Sequence, residues 1–190
     1  MSGIYPASPI FKSVGFKSQH YNLSSESLSG RTQVRNIGGQ RFEFSADYSR
    51  LSRSEFAPVL AFIMSQRGMA ETFSIVLPEI SSKSGTATGA VLTNGPASIG
   101  ATSVVIDGLV GTLKAGDMVK FDNHSKVYMI TADLTGPGTL SIQPALRVAL
   151  TNNLGVTYDN VPFLVRLDND VQEYSLSSSS LLDYAVDFIE

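Results

Sequence analysis

The two histidines are the side chains best suited to acid–base chemistry near neutral pH, yet neither has the companions that such chemistry needs. His124 follows Asp122 and Asn123 in a predicted turn, but no Ser in a G-x-S-x-G pattern accompanies it. His20 lies in a Ser- and Asn-rich strand with no acidic residue nearby in sequence. Cysteine is absent, which excludes thiolate metal sites and a Cys nucleophile. We therefore expect no catalytic residues and no enzyme.

Paired carboxylates occur in Asp168-Asn169-Asp170, a spacing that begins many calcium-binding loops. The run stops after two acids and lacks both the glycine and the later glutamate of such loops, so it favours a polar turn capped by Asx side chains. The glycines from Gly108 to Gly116 form neither G-x-G-x-x-G nor a GK[ST] motif, so no phosphate cradle is evident. We expect neither a metal nor a cofactor.

Composition favours a globular protein that is part of an assembly. Hydrophobic residues make up 43%, enough for a core, whereas charged residues are only 16%, well below the usual quarter. A surface of neutral polar groups costs little to bury against a partner, although a Ser-rich all-β surface explains the same number. No signal peptide and no run of 18 apolar residues is present, so no membrane span is predicted. The net charge of −3 argues against nucleic-acid binding.

Charge is distributed unevenly along the chain. Residues 1–69 hold eight basic and four acidic residues, whereas residues 70–190 hold six basic and thirteen acidic ones. Such opposed charge suits head-to-tail self-association, or it is neutralised within one monomer. Arginine is enriched at protein interfaces and lysine is depleted. The candidate subunit interface therefore comprises Arg31, Arg35, Arg41, Arg50 and Arg53.

The first portion of the chain reads as β structure followed by one helix. Residues 41–48 alternate strictly, which predicts a half-buried strand with Phe42 and Phe44 facing the core rather than stacking on bases. Gly38-Gly39 predicts the turn of a hairpin. Ser52-Arg53-Ser54-Glu55 is a capping box before an amphipathic stripe, which predicts a helix over about 53–67.

The second portion predicts a small barrel inserted into that first unit. Four short strands near residues 103–106, 118–121, 126–131 and 139–142 are each closed by turn chemistry. Residues 79–98 are rich in Ser, Thr and Gly and predict a flexible linker. The strands predicted within residues 160–190 must pair with strands that come earlier in the chain. We therefore expect a mainly β fold in which residues 1–78 plus 160–190 form a sandwich-like core, and residues 99–150 form the insertion.

Two stretches carry a family resemblance. SGRTQVRNIGGQRFEFSADY, the helix after it and the "RG" step at Arg67-Gly68 resemble the hub portion of phage tail-tip proteins. The motifs GTLKAGD, VYMIT and LSIQPAL are similar to the small β-barrel insert that is common in tail and baseplate proteins. Together these stretches cover most of the chain.

The resemblance implies a distal tail or baseplate-hub protein of a tailed bacteriophage, made in the host bacterial cytoplasm and located in the virion tail. Members of that class form rings, often six-fold, that join the tail tube to the tip complex and carry no catalytic residues. The implied partners are copies of the chain itself, the tail tube and tail-tip or hub proteins, with no nucleic acid and no membrane. A head–tail connector or tail terminator is an alternative. So is a carbohydrate-binding adhesin module with candidate residues Tyr128, Tyr158 and Tyr174.

Overall fold

The computed structural model describes residues 3–176 and 181–190, and it confirms the mainly β prediction. Strands hold 47% of the residues and helix 9%. Buried side chains form two clusters, one in a large twisted sheet and one in a small barrel. We call these two parts the main sheet and the barrel.

The chain has a single α-helix, α1, at Arg53–Ser65 and a short 3₁₀ turn at Gly68–Ala70 among the described residues. Its strands are β1 Phe11–Glu26, β2 Thr32–Tyr48, β3 Leu51–Ser52, β4 Phe73–Ile75, β5 Leu92–Thr93, β6 Ser103–Asp107, β7 Thr112–Leu113, β8 Met118–Phe121, β9 Val127–Ile130, β10 Leu134–Thr135, β11 Gly138–Gln143, β12 Val156–Thr157, β13 Phe163–Leu167, β14 Tyr174–Leu176 and β15 Leu181–Ile189.

The predicted hairpin turn at Gly38-Gly39 is wrong. β2 runs without a break through both glycines, and the hairpin with β1 turns instead at residues 27–31. There the Ser27 N–H donates to the Arg31 carbonyl at 3.0 Å, and Gly30 takes a positive φ of 76°. Gly38 also has a positive φ, of 85°, but it serves a bulge rather than a turn.

The main sheet has the strand order β1-β2-β15-β13-β4, with β3 and β14 paired to β15. Strict alternation places Phe42, Phe44, Ala46 and Tyr48 on its inner face, where all four are buried. Phe44 lies 4.9 Å, centroid to centroid, from the ring of Phe163 on β13. Residues near the two ends of the sequence therefore build one core.

The predicted capping box forms at the start of α1. The Glu55 carboxylate accepts the Ser52 backbone N–H at 2.9 Å and the Ser52 hydroxyl at 2.7 Å. The helix buries Phe56, Val59 and Ile63. It ends two residues earlier than expected because Arg67 takes a left-handed φ of 56° before Gly68. That reversal directs the chain into β4.

The barrel contains the four predicted strands as β6, β8, β9 and β11, in the order β12-β8-β9-β11-β6-β5. Residues 79–98, expected as a flexible linker, contribute β5 instead. A bridge between Leu92 and Gly155 brings β5 beside β12 and nearly closes the barrel. Val91 and Ala87 are the apolar residues that anchor this Ser/Thr-rich segment in the barrel core. Buried Thr93 adds hydrogen bonds, because its N–H donates to the Leu154 carbonyl at 2.9 Å and its hydroxyl donates to the Thr151 carbonyl at 2.7 Å.

The barrel packs directly on the main sheet. Met118 and Val127 belong to the core of the main sheet although their strands belong to the barrel. The chain enters and leaves the barrel at one place, where the Val161 N–H donates to the Ser81 carbonyl at 2.9 Å. The described residues contain no helix that is both long and apolar enough to span a lipid bilayer.

Candidate functional site

The hairpin of β1 and β2 extends far beyond the core that supports it. We call residues 19–37 the arm. The inner parts of both strands pack on the core, but nearly every arm residue is exposed on both faces. Five exposed large apolar side chains lie on the arm: Tyr21, Leu23, Leu28, Val34 and Ile37. A ribbon of two strands without a covering layer is only marginally stable in water, so this surface is suited to a partner.

A bulge marks the base of the arm. His20 pairs with Gln40 and Asn22 pairs with Asn36, so Tyr21 alone faces residues 37–39. A Cβ on Gly39 would lie 2.9 Å from the Tyr21 ring, so a larger residue at this position would require that exposed ring to shift. The bulge increases the local twist and sets the direction in which the arm leaves the sheet.

The five candidate arginines do not form one face. Arg31 and Arg35 lie on the arm, whereas Arg50 and Arg53 follow the opposite end of β2. At about 3.4 Å per residue, the stretch of chain from Arg35 to Arg50 corresponds to roughly 50 Å when extended. Arg41 lies between them, where its Nε is 3.4 Å from the Glu43 carboxylate. The structure therefore assigns only Arg31 and Arg35 to the arm.

The other charged arginines have local partners or lie elsewhere. Arg50 makes a 3.7 Å ion pair with Asp183 on β15, and both side chains are exposed. Arg53 is the first residue of α1. The outer face of the main sheet carries Asp47 and Asp187, but the paired strands place Lys17 and Arg41 on the same face, so its charge is mixed.

A shallow apolar groove lies at the other edge of the main sheet. Residues 3–5 run beside β4, where the Tyr5 N–H donates to the Ser74 carbonyl at 2.8 Å. The Tyr5 and Tyr48 hydroxyls are 2.8 Å apart, and burial raises the pKa of Tyr48 to about 12. This buried pair anchors the N-terminal segment. The groove beside it has a volume of about 290 Å³ and is lined in part by exposed Ile4, Ile10 and Val76.

No protein-family model and no curated protein matches this chain.

The histidines occupy ordinary structural positions. His124 stacks on Phe121, and its Nε2 lies 2.7 Å from the Tyr128 hydroxyl. Burial lowers its pKa, and the positive charges of Lys120 and Arg147 add to that effect. His20 is exposed at the base of the arm, 3.3 Å from the Ser18 hydroxyl. Neither ring contacts a carboxylate among the described residues.

The remaining sequence candidates are also placed. Asp170 accepts the Met69 N–H at 2.9 Å, and the Asn169 side chain accepts the Val171 N–H at 3.0 Å, so this segment is the predicted Asx-capped turn. No group of three or more His, Cys, Asp or Glu side chains in the described ranges is arranged to hold a metal ion.

The tyrosines considered for sugar binding do not form a platform. Tyr128 is fully buried in the barrel. Tyr158 is partly buried, and its hydroxyl donates to the Gly89 carbonyl at 2.8 Å. Tyr174 is exposed but lies on β14, beside the helix residue Phe56.

The sequence does not reveal the arm, because its exposed strands show no alternation of polar and apolar residues. Its signal in the sequence is a long polar stretch with scattered apolar residues.

Proposed function

We propose that this protein is a structural subunit that assembles with copies of itself into a ring in the tail tip or baseplate of a tailed bacteriophage. The observation that carries the proposal is the arm, with exposed apolar side chains and no second layer of its own. Low charge in the whole chain supports it, because neutral polar surfaces are easily buried between subunits. The resemblance of the hairpin, helix and barrel motifs to tail-tip proteins supplies the biological setting.

The placement of two surfaces supports a ring rather than a simple dimer. β1 forms one edge of the main sheet, and β4 with its apolar groove forms the other. An arm that docks at the far edge of the next copy makes a heterologous contact, and such a contact gives a ring when the rotation between copies closes. Closure also protects the long exposed edge of β1, which would otherwise promote aggregation. The tail tube and the tip complex are then the partners on the two faces of the ring.

The first experiment removes the apolar contacts of the arm. We expect Leu23→Ser with Val34→Ser and Ile37→Ser to leave a folded monomer, because these side chains touch no core. The wild-type chain should give a closed oligomer by mass photometry. A matched control replaces exposed apolar residues of the barrel, with Ile99→Ser and Val110→Ser, and should assemble normally. Wild-type chain that stays monomeric at every concentration overturns the proposal.

The second experiment separates the two arginine pairs. Arg31→Glu with Arg35→Glu should abolish assembly, because it reverses the charge of the arm where the arm meets the next copy. Arg50→Glu with Arg53→Glu changes the same number of charges beyond the opposite end of β2, and it should leave assembly intact. Circular dichroism confirms that both variants are folded. Equal loss in the two variants would show that the arm is not the contact.

A further inference from the structure

A second cleft lies where β15 ends between its neighbours. After Ile189, β2 and β13 continue on either side of the position that β15 has vacated, and the barrel faces this gap. The cavity there measures about 140 Å³. A larger cavity of about 390 Å³ adjoins this one. It lies between Gly38 and Gly39 on β2 and the barrel loop that holds Arg147. We call the smaller cavity the seam cleft.

Four cationic side chains line the seam cleft, and only one acid does. Arg41 comes from β2, Arg166 from β13, and Lys126 and Arg147 from the barrel. The single acid is Glu190. The cleft is therefore strongly positive on a protein whose net charge is negative.

The only acid in the cleft is already used. The Lys126 ammonium pairs with the Glu190 carboxylate, donates to the Gln40 amide oxygen at 2.8 Å and lies 4.5 Å from the centroid of the Phe42 ring. The Glu190 carboxylate also accepts the backbone N–H groups of Phe42 and Val127. The Glu190 carboxylate is therefore fully engaged within this cluster, and no acid lining the cleft remains for Arg147 and Arg166.

Two of the arginines have no anionic partner. Arg41 is held by the Gln19 amide oxygen at 3.0 Å and by Glu43. Arg147 and Arg166 are exposed and make no ion pair within the described parts of the chain. The positive charge of Arg147 acts on the neighbouring Lys126. Burial lowers the pKa of Lys126, and the charge of Arg147 lowers it further, whereas the Glu190 carboxylate raises it.

We propose that the seam cleft binds a small oxyanion group, a carboxylate or a phosphate, between Arg147 and Arg166. The planar guanidinium fork matches the paired oxygens of either group. Thr72 and Ser125 line the same cavity and supply hydroxyl donors. The volume fits a single charged group rather than a whole cofactor. Because one arginine belongs to the main sheet and the other to the barrel, the bound group would tie the two parts together.

Thermal unfolding tests this site with inorganic phosphate and acetate as probes, each against chloride at equal ionic strength. A probe at about five times its Kd should raise Tm by about 2–4 °C. Phosphate also stabilises proteins generally through exclusion from the surface. The readout is therefore the difference between the wild-type chain and Arg147→Gln with Arg166→Gln, which should lose the specific shift. The matched control, Arg50→Gln with Arg53→Gln, lies outside both the cleft and the arm and should keep it.

Amide chemical shifts from NMR locate the binding independently. Titration should move the Ser125, Arg147 and Arg166 signals in the wild-type chain and leave the arm signals in place. A larger response to phosphate assigns the site to a phosphate-bearing ligand, and a larger response to acetate assigns it to a carboxylate side chain of a protein partner. An equal Tm shift in the double variant, or no shift change at these residues, overturns the proposal. Neither readout depends on ring formation, so the site and the proposed function fail separately.

Discussion

The inner and outer halves of β2 share one backbone and differ in what covers them. The inner half alternates, and its Phe42 and Phe44 are only 2% exposed. The outer half carries Val34 at 65% exposure and receives no cover from the described chain. Burial of one Phe contributes on the order of 2–3 kcal/mol to folding, a contribution the outer half lacks. The same strand is therefore a buried core element at one end and an uncovered, solvent-exposed element at the other.

The largest contrast should appear when each half loses one side chain. Phe44→Ala should reduce the free energy of unfolding by about 3–5 kcal/mol, because it leaves a cavity beside Phe163 and Phe16. Val34→Ala should change it by less than about 0.5 kcal/mol. Urea denaturation of the monomeric chain measures both. Similar losses in the two variants would show that the outer half is covered within the monomer.

The boundary between the halves should be sensitive to the buried ion pair. Lys126 contacts Gln40, and Glu190 accepts the Phe42 N–H, so this pair holds β2 where the arm begins. Lys126→Met should cost about 3 kcal/mol, because it leaves a carboxylate buried without its partner. Adding Glu190→Gln should recover much of the loss, as a double-mutant cycle in denaturant would measure. Additive losses would mean that the two groups do not act as a pair.

The bulge should give the smallest effect, and one confined to the outer half. Gly38→Ala forces an alanine into a φ of 85°, at a cost of about 1 kcal/mol. No atom lies within 4 Å of the added Cβ, so strain in the backbone is the whole effect. Hydrogen exchange should quicken over the arm while the global unfolding midpoint stays unchanged.

Gly30→Ala is the matched control for that substitution. Its φ is 76°, it also has open space around it, and it lies in the turn at the tip. It should loosen only the outer end of the arm. If either substitution moves the global midpoint by the full amount, the arm unfolds together with the core, and the two halves of β2 are one cooperative unit.

The same contrast explains what was readable in the sequence. Alternation in residues 41–48 predicted the buried strand because one face is covered there. The arm has no covered face, so no period of two appears, and Gly38-Gly39 was mistaken for a turn when it serves a bulge. The real turn at residues 27–31 carries only Ser and a single Gly as its signal. The barrel strands could be predicted because turn residues separate them at regular intervals.

The seam cleft lay beyond any reading of the sequence alone. Arg41, Arg147 and Arg166 are separated by long stretches of chain and share no motif or spacing. Only the topology, with β15 ending between β2 and β13, brings them to one cavity. The five arginines predicted as an interface illustrate the reverse case, because residues close in sequence, such as Arg35 and Arg50, lie at opposite ends of a long strand.

The hydrogen bond between Val161 and Ser81 has a consequence for how such a chain can change over time. It places the two ends of the barrel segment, about 80 residues long, side by side next to the main sheet. A short turn at that point would reconnect the sheet strands without altering their order. Whole modules of different size or surface chemistry can therefore be exchanged there by a single genetic event, while the main sheet and the arm are inherited unchanged.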